Sequence, residues 1–183
     1  MREMKLVYID DRIDSYLDEY LDKKYNIEQS YIMYISKRFD SNLPGAYENL
    51  IIDDDIQSAN IIIVDSCLFE NRSAINGKFT GEEFRLILRK FYPYIEVIVI
   101  TQNEPDVDLK ILSKFSSDKG CTSFEYYDKQ LLSYIEESIE NVKLYSKIGE
   151  KLERNSNLES VLREKILNSL KGNNKYDAIT KKD

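Results

Sequence analysis

Asn60-Ile61-Ile62-Ile63-Val64-Asp65 is a run of β-branched, apolar side chains that ends on a carboxylate. A strand with one wet face alternates apolar and polar residues, whereas an unbroken apolar run suits a central parallel strand covered by helices on both faces. Leu6-Val7-Tyr8-Ile9 before Asp10, and Val97-Ile98-Val99-Ile100 before Thr101, read the same way. Two further short runs, rich in β-branched or aromatic residues, bring the expected strands to five, over 5–10, 31–36, 60–65, 96–101 and 123–126.

Helix-period segments lie between these strands. Ile13, Tyr16, Leu17, Tyr20 and Leu21 form one stripe, and Phe84, Ile87, Leu88 and Phe91 form another behind a Thr80-x-x-Glu83 capping box. Val107, Ile111, Leu112 and Phe115 supply a third over 107–115. Residues 46–56 complete the alternation, although Asp53-Asp54-Asp55 interrupts them and reads as a solvated charge run. Strand and helix thus alternate throughout, which predicts an α/β fold: a doubly wound, five-stranded parallel sheet of flavodoxin-like order 2-1-3-4-5 with helices on both faces.

A C-terminal helical extension follows. Leu132, Ile135, Ile139 and Val142 share one helical face that continues through Tyr145, Ile148 and Leu152. Asn155-Ser156-Asn157 breaks the pattern, and Ser156-x-x-Glu159 opens a further helix with Leu158, Val161, Leu162, Ile166 and Leu170, ending at Gly172. The expected organisation is one domain over 1–142, a helical extension over 143–172 and a flexible polar tail over 173–183.

Composition narrows the chemistry. The 183 residues are 42% hydrophobic and 32% charged, as in a globular protein, and the formal charge of -7 disfavours nucleic acid. No run approaches a membrane span, and the charged start Met1-Arg2-Glu3-Met4-Lys5 is unlike a secretory leader, so the cytoplasm is the expected compartment. The absence of histidine removes imidazole catalysis, and Cys67 and Cys121, with no C-x-x-C spacing, read as small buried apolar groups. Of the 14 tyrosines, most fall on helix or strand apolar faces and are expected to pack, since no basic stripe accompanies them.

Ligands of parallel α/β sheets bind beyond the C-terminal ends of the strands, and here those ends are acidic: Asp10-Asp11 after the first strand and Asp65 after the third. Adjacent carboxylates opposite a third suit Mg²⁺, a hard cation that takes oxygen ligands. With the charge of transferred oxygens neutralised, an Asp can attack a phosphoryl group, and a Lys can stabilise the transition state. The same residues also permit a plainer reading, in which Asp10-Asp11 only cap the first helix.

Asp10-Asp11, Asp65, Thr101 and a lysine after the fifth strand, taken in this order, resemble the receiver domain of two-component response regulators, over about residues 3–142. Thr80-Gly81-Glu82-Glu83-Phe84 resembles the opening of that family's third helix, residues 94–101 resemble its fourth strand, and Lys119-Gly120-Cys121 resembles the turn before its fifth. The resemblance implies a phosphorelay protein rather than an enzyme acting on other substrates. Asp65 would accept a phosphoryl group from a histidine kinase or another phosphodonor. Asp10, Asp11, Asp65 and the backbone carbonyl of Cys67 would hold Mg²⁺, Thr101 would be the switch hydroxyl, and Lys129 would pair with the phosphate. The output would be a contact with a downstream protein through the strand 4–5 face or the C-terminal helices, a homodimer included, without nucleic acid or membrane.

The sequence also departs from that pattern. The stretch from Asp65 to Gly81 is longer than the family's loop, Gln102 stands where a small residue is usual, and counting from Gly120 brings Tyr127 to the lysine's place. Phe124 and Tyr126 both offer themselves as the aromatic switch residue of strand five. These departures keep two alternatives open: a pseudo-receiver that serves unphosphorylated as a protein-binding or dimerisation module, and a Mg²⁺-dependent phosphatase. The phosphatase would need a general acid at Cys67.

Overall fold

The apolar runs assemble into a single sheet. A computed structural model describes residues 4–29, 31–40, 43–68, 80–103, 111–155, 157 and 159–171. Its strands are β1 (Met4–Asp10), β2 (Ile32–Arg38), β3 (Ile61–Asp65), β4 (Glu96–Thr101) and β5 (Ile111–Ser113), all paired in parallel in the order β2-β1-β3-β4-β5. The flavodoxin-like arrangement expected from the alternation is therefore the one observed.

Successive residues of a strand point to opposite faces, so an all-apolar strand needs a cover on each side. On one face Val7, Ile9, Ile62, Val64, Val97 and Val99 meet α2 (Ala46–Ile52), α3 (Asp54–Gln57) and α4 (Gly81–Phe91), through Leu50, Ile56, Phe84 and Leu88. On the other, Leu6, Tyr8, Ile61, Ile63, Ile98, Ile100 and Leu112 meet α1 (Ser15–Leu21), α5 (Ser123–Gln130) and α6 (Leu132–Glu153), through Leu17, Tyr20, Tyr127, Ile135 and Ile139. Tyr8, Tyr20, Tyr25 and Tyr127 are among the largest fully buried side chains, which is the packing role read from the sequence. A last helix, α7 (Ser160–Lys171), packs on α6, and α6 itself runs unbroken through 142–143. Ser156, Leu158, Gly172 and the tail 173–183 lie outside the described residues, as does most of the stretch between Asp65 and Gly81.

The fifth strand corrects the sequence reading. Residues 111–113, expected within a helix over 107–115, form β5 and pair with β4 as Val99↔Ile111, Ile100↔Leu112 and Thr101↔Ser113; residues 107–110 lie outside the described set. Residues 123–126, expected as the strand, instead open α5. A three-residue strand is too short to display a period, and Ile111, Leu112 and Phe115 happen to fit a helical stripe. Ser123-Phe124-Glu125-Tyr126 alternates, but Thr122 overrides it. The Thr122 hydroxyl accepts from Glu125 N at 3.2 Å while the Glu125 carboxylate accepts from Thr122 N at 2.9 Å, a capping box that starts a helix. Cys121 is exposed and Cys67 only half-buried, so neither is the fully buried apolar group expected.

Two local devices keep the sheet in shape. After α1 the chain widens into a π-helix, Asp22–Glu28, that brings Asn26 against the edge strand β2. There Asn26 Oδ1 accepts from Tyr34 N at 2.8 Å and Asn26 Nδ2 donates to Tyr34 O at 3.3 Å, filling the place of a further strand. The acidic run 53–55 is tied in as well: Asp53 caps α3, Lys37 pairs with Asp53 and Asp55, and Lys5 pairs with Asp55 at 3.2 Å. No helix among the described residues is long and apolar enough to cross a membrane.

Candidate metal and phosphoryl site

The site follows from strand parity. Tyr8 and Asp10, Ile63 and Asp65, and Leu112 and Lys114 are each two residues apart, so the three polar groups emerge on the sheet face of their apolar partners. β1 and β3 flank the point where the strand order reverses, the crevice at which such sheets bind ligands. Carboxylate oxygens of Asp10, Asp11 and Asp65 lie within 4.8 Å of one another there. Asp10 and Asp65 are buried, at 1% and 4% exposure, and Asp11 is open to solvent.

The two buried carboxylates are held by the chain around them. Asp10 Oδ1 accepts from Arg12 N at 3.0 Å, and Oδ2 accepts from the Tyr8 hydroxyl and from Lys114 Nζ, the latter at 2.7 Å. The Tyr8 oxygen in turn accepts from Asp14 N at 3.2 Å. Asp14, not Asp10 or Asp11, caps α1, its carboxylate accepting from Leu17 N at 2.9 Å. The helix-cap reading of Asp10-Asp11 is thereby set aside. Asp65 Oδ2 accepts from Cys67 N at 3.0 Å. Lys114 Nζ stands 2.7 Å from Asp65 Oδ1 as a buried ion pair.

Gly81 fixes how closely α4 approaches. Its N donates to Ser66 O at 2.8 Å, and a Cβ there would fall 2.4 Å from Asp65 O, so any larger residue would displace the end of β3. Ser66 Oγ also donates to Glu82 Oε1 at 2.7 Å, joining the turn after Asp65 to the first turn of α4.

Three carboxylates face one ammonium. Burial pushes Asp65 above the usual carboxylate range, with Lys114 opposing it. Burial, then the neighbouring Asp10, push Asp11 up too. Burial would lower Lys114, but its pairing with Asp10 and Asp65 outweighs that and raises it. The protein alone leaves this pocket short of positive charge, and an oxygen-lined pocket with unbalanced carboxylates fits a hard divalent cation.

The expected site residues do not all converge. Asp10, Asp11 and Asp65 come together, and Cys67 follows in the turn with its amide on Asp65. Thr101 is buried at the end of β4, but by parity it shares the face of Val97 and Val99, and its hydroxyl accepts from Asn103 N at 3.1 Å. Gln102 is exposed. Lys129 is a correction: it sits exposed in the last turn of α5, whereas the lysine that follows strand five and reaches the carboxylates is Lys114. Phe124 and Tyr126 also lie on α5, and β5 carries no aromatic residue. The sequence reading missed Lys114 and Tyr8. An apolar pair followed by Ser-Lys signalled the first, and a tyrosine two residues before an aspartate on a buried strand signalled the second, because a buried hydroxyl seeks a partner.

Comparison of the chain with family models, with curated protein sequences and with solved structures gives no significant match.

Proposed function

We propose that this chain is a receiver-like switch in which Asp65 accepts a phosphoryl group in a Mg²⁺-dependent step and the modification alters protein contacts. The observation that carries the reading is the convergence of Asp10, Asp11, Asp65 and Lys114 at the strand-order reversal. Asp10, Asp11 and Asp65 would hold Mg²⁺, with the carbonyl of Cys67 as a further oxygen ligand, and the ion would neutralise charge on the phosphoryl oxygens. An oxygen of ionised Asp65 forms a bond to phosphorus as the bond to the phosphodonor's leaving group breaks, and the departing group keeps that electron pair. Lys114 already touches Asp65 and stabilises the transferred oxygens. Thr101, which shares the other sheet face here, would report the phosphate only by exchanging its bond with Asn103 and turning toward Asp65. The donor would be a histidine kinase or a small phosphodonor, and the output a protein partner.

One observation favours the unphosphorylated alternative. Asp10 Oδ2 already receives both Tyr8 and Lys114, so the pocket is partly neutralised by its own side chains. Incubation with Mg²⁺ and acetyl phosphate, read by intact mass, separates the two. A phosphoryl adduct present in the wild type and absent in Asp65→Asn supports the switch; no adduct, together with no beryllofluoride binding, leaves the protein-binding module.

A further inference from the structure

Lys114 joins the two buried carboxylates to the far edge of the sheet, yet its own strand holds it weakly. β5 is a three-residue edge strand, and Lys114, just beyond it, has a single backbone bond to β4, from its N to Thr101 O at 2.7 Å. Two tyrosines of α5 complete the hold, one on each side. The Tyr126 hydroxyl donates to Ser113 O at 3.1 Å, and the Tyr127 hydroxyl accepts from Phe115 N at 3.0 Å. The rings are packed as well as bonded: Tyr126 lies edge-on to Phe115 at 5.7 Å between centroids and to Tyr127 at 5.4 Å. Tyr127 is fully buried, and its carbonyl accepts from Leu131 N at 2.9 Å at the joint between α5 and α6.

We propose that Tyr126 and Tyr127 are positioning residues whose hydroxyls set where Lys114 stands against Asp10 and Asp65 and carry its displacement into α5 and α6. The inference deepens the receiver-like reading and rests on it only for the ligand that displaces Lys114. The backbone is engaged at 113, 114 and 115 in succession, so any part of the lysine's shift toward a new anion on Asp65 that reaches its backbone moves these bonds. Two of the three end on α5. Tyrosine rings have only two side-chain torsions and pass on such a shift with little loss. α5 and α6 would thereby be coupled to the pocket through two hydrogen bonds and packed rings beside the sheet.

The test is amide hydrogen exchange over 123–153 in the full chain, comparing wild type with Tyr126→Phe/Tyr127→Phe, which keeps both rings and the core volume. Two perturbations of the lysine are applied: beryllofluoride with Mg²⁺, and the substitution Lys114→Gln, or Lys114→Arg where Lys114→Gln fails to fold. Both are expected to change exchange in α5 and α6 by about threefold or more in the tyrosine background and to leave it unchanged in the phenylalanine background. A general loss of stability would shift both backgrounds alike and cannot mimic this difference. Wild type that binds no beryllofluoride removes the receiver-like reading, and the Lys114 substitution then decides the clamp alone. Equal responses in the two backgrounds, or no response of α5 and α6 to a perturbation that reaches the pocket, overturn the proposal.

Discussion

Lys114 balances two buried carboxylates with one ammonium, and that ratio makes it costly to remove. Lys114→Met leaves Asp10 and Asp65 charged where little water reaches them, and should destabilise the metal-free protein by about 3–5 kcal/mol. Urea unfolding in the presence of a chelator measures this, and Mg²⁺ should restore part of the loss. Asp65 itself works against the metal-free fold. Burial raises its pKa, so its protonated form is the one the folded state favours; the resulting stability is complete below the unfolded-state value and is lost as pH rises through the folded one. Metal-free melting temperature should therefore fall across the window just above the ordinary carboxylate range, and Asp65→Asn should flatten that fall. An unchanged slope in the variant would assign the dependence to Asp11, whose pKa is shifted the same way. At this scale the sequence was half legible. Asp10, Asp11 and Asp65 stood at the ends of long apolar runs, where parity and position are plain, but Tyr8 looked like apolar bulk inside its run.

Strand length decided which elements could be read in advance. β1, β3 and β4 each bury both faces over five to seven residues, and so announce themselves without alternation. β5 has three residues and only one neighbour, so its identity comes from pairing with Thr101 and from the tyrosines of α5, neither of which is local. The lysine was misassigned for the same reason: Lys129 followed the expected strand, while Lys114 followed the real one. β2 shows the opposite case, a legible strand whose protection was invisible. Its outer backbone at Tyr34 is closed by the side chain of Asn26 from a π-helix, a geometry that no sequence period encodes. Asn26→Ala should cost about 1–3 kcal/mol in urea unfolding, since it uncovers a backbone donor and acceptor at a largely buried residue. Asn26→Asp should recover the bond to Tyr34 N but not the one to Tyr34 O, and stability close to wild type in Asn26→Ala would show that water satisfies this edge equally well.

For the molecule as a whole, the two apolar layers bind the six helices α1 to α6 to a sheet whose order was foreseeable, because β-α alternation leaves few arrangements. Partners, donor and ligand could not be foreseen in the same way, as they depend on surfaces rather than on burial. A whole-molecule measurement bears on the ligand. A cation that binds the folded pocket and not the unfolded chain stabilises by about 2.7 kcal/mol at a hundredfold excess over its Kd. For a chain of this size that should raise the melting temperature by roughly 5–10 °C. The rise should depend on Mg²⁺ concentration, be absent with Na⁺ at matched ionic strength, and shrink in Asp11→Asn; a flat response would remove the cation from the site. The shared parity of Asp10, Asp65 and Lys114 also sets what kinds of sequence change the protein can survive. Loops between the elements can lengthen or shorten freely, because they do not alter which way a strand's last residue points. A single residue inserted between Ile63 and Asp65 would turn the carboxylate to the opposite side of the sheet while leaving the topology intact. Within these strands, then, a single inserted codon is enough to abolish the pocket, although the change leaves every element in place.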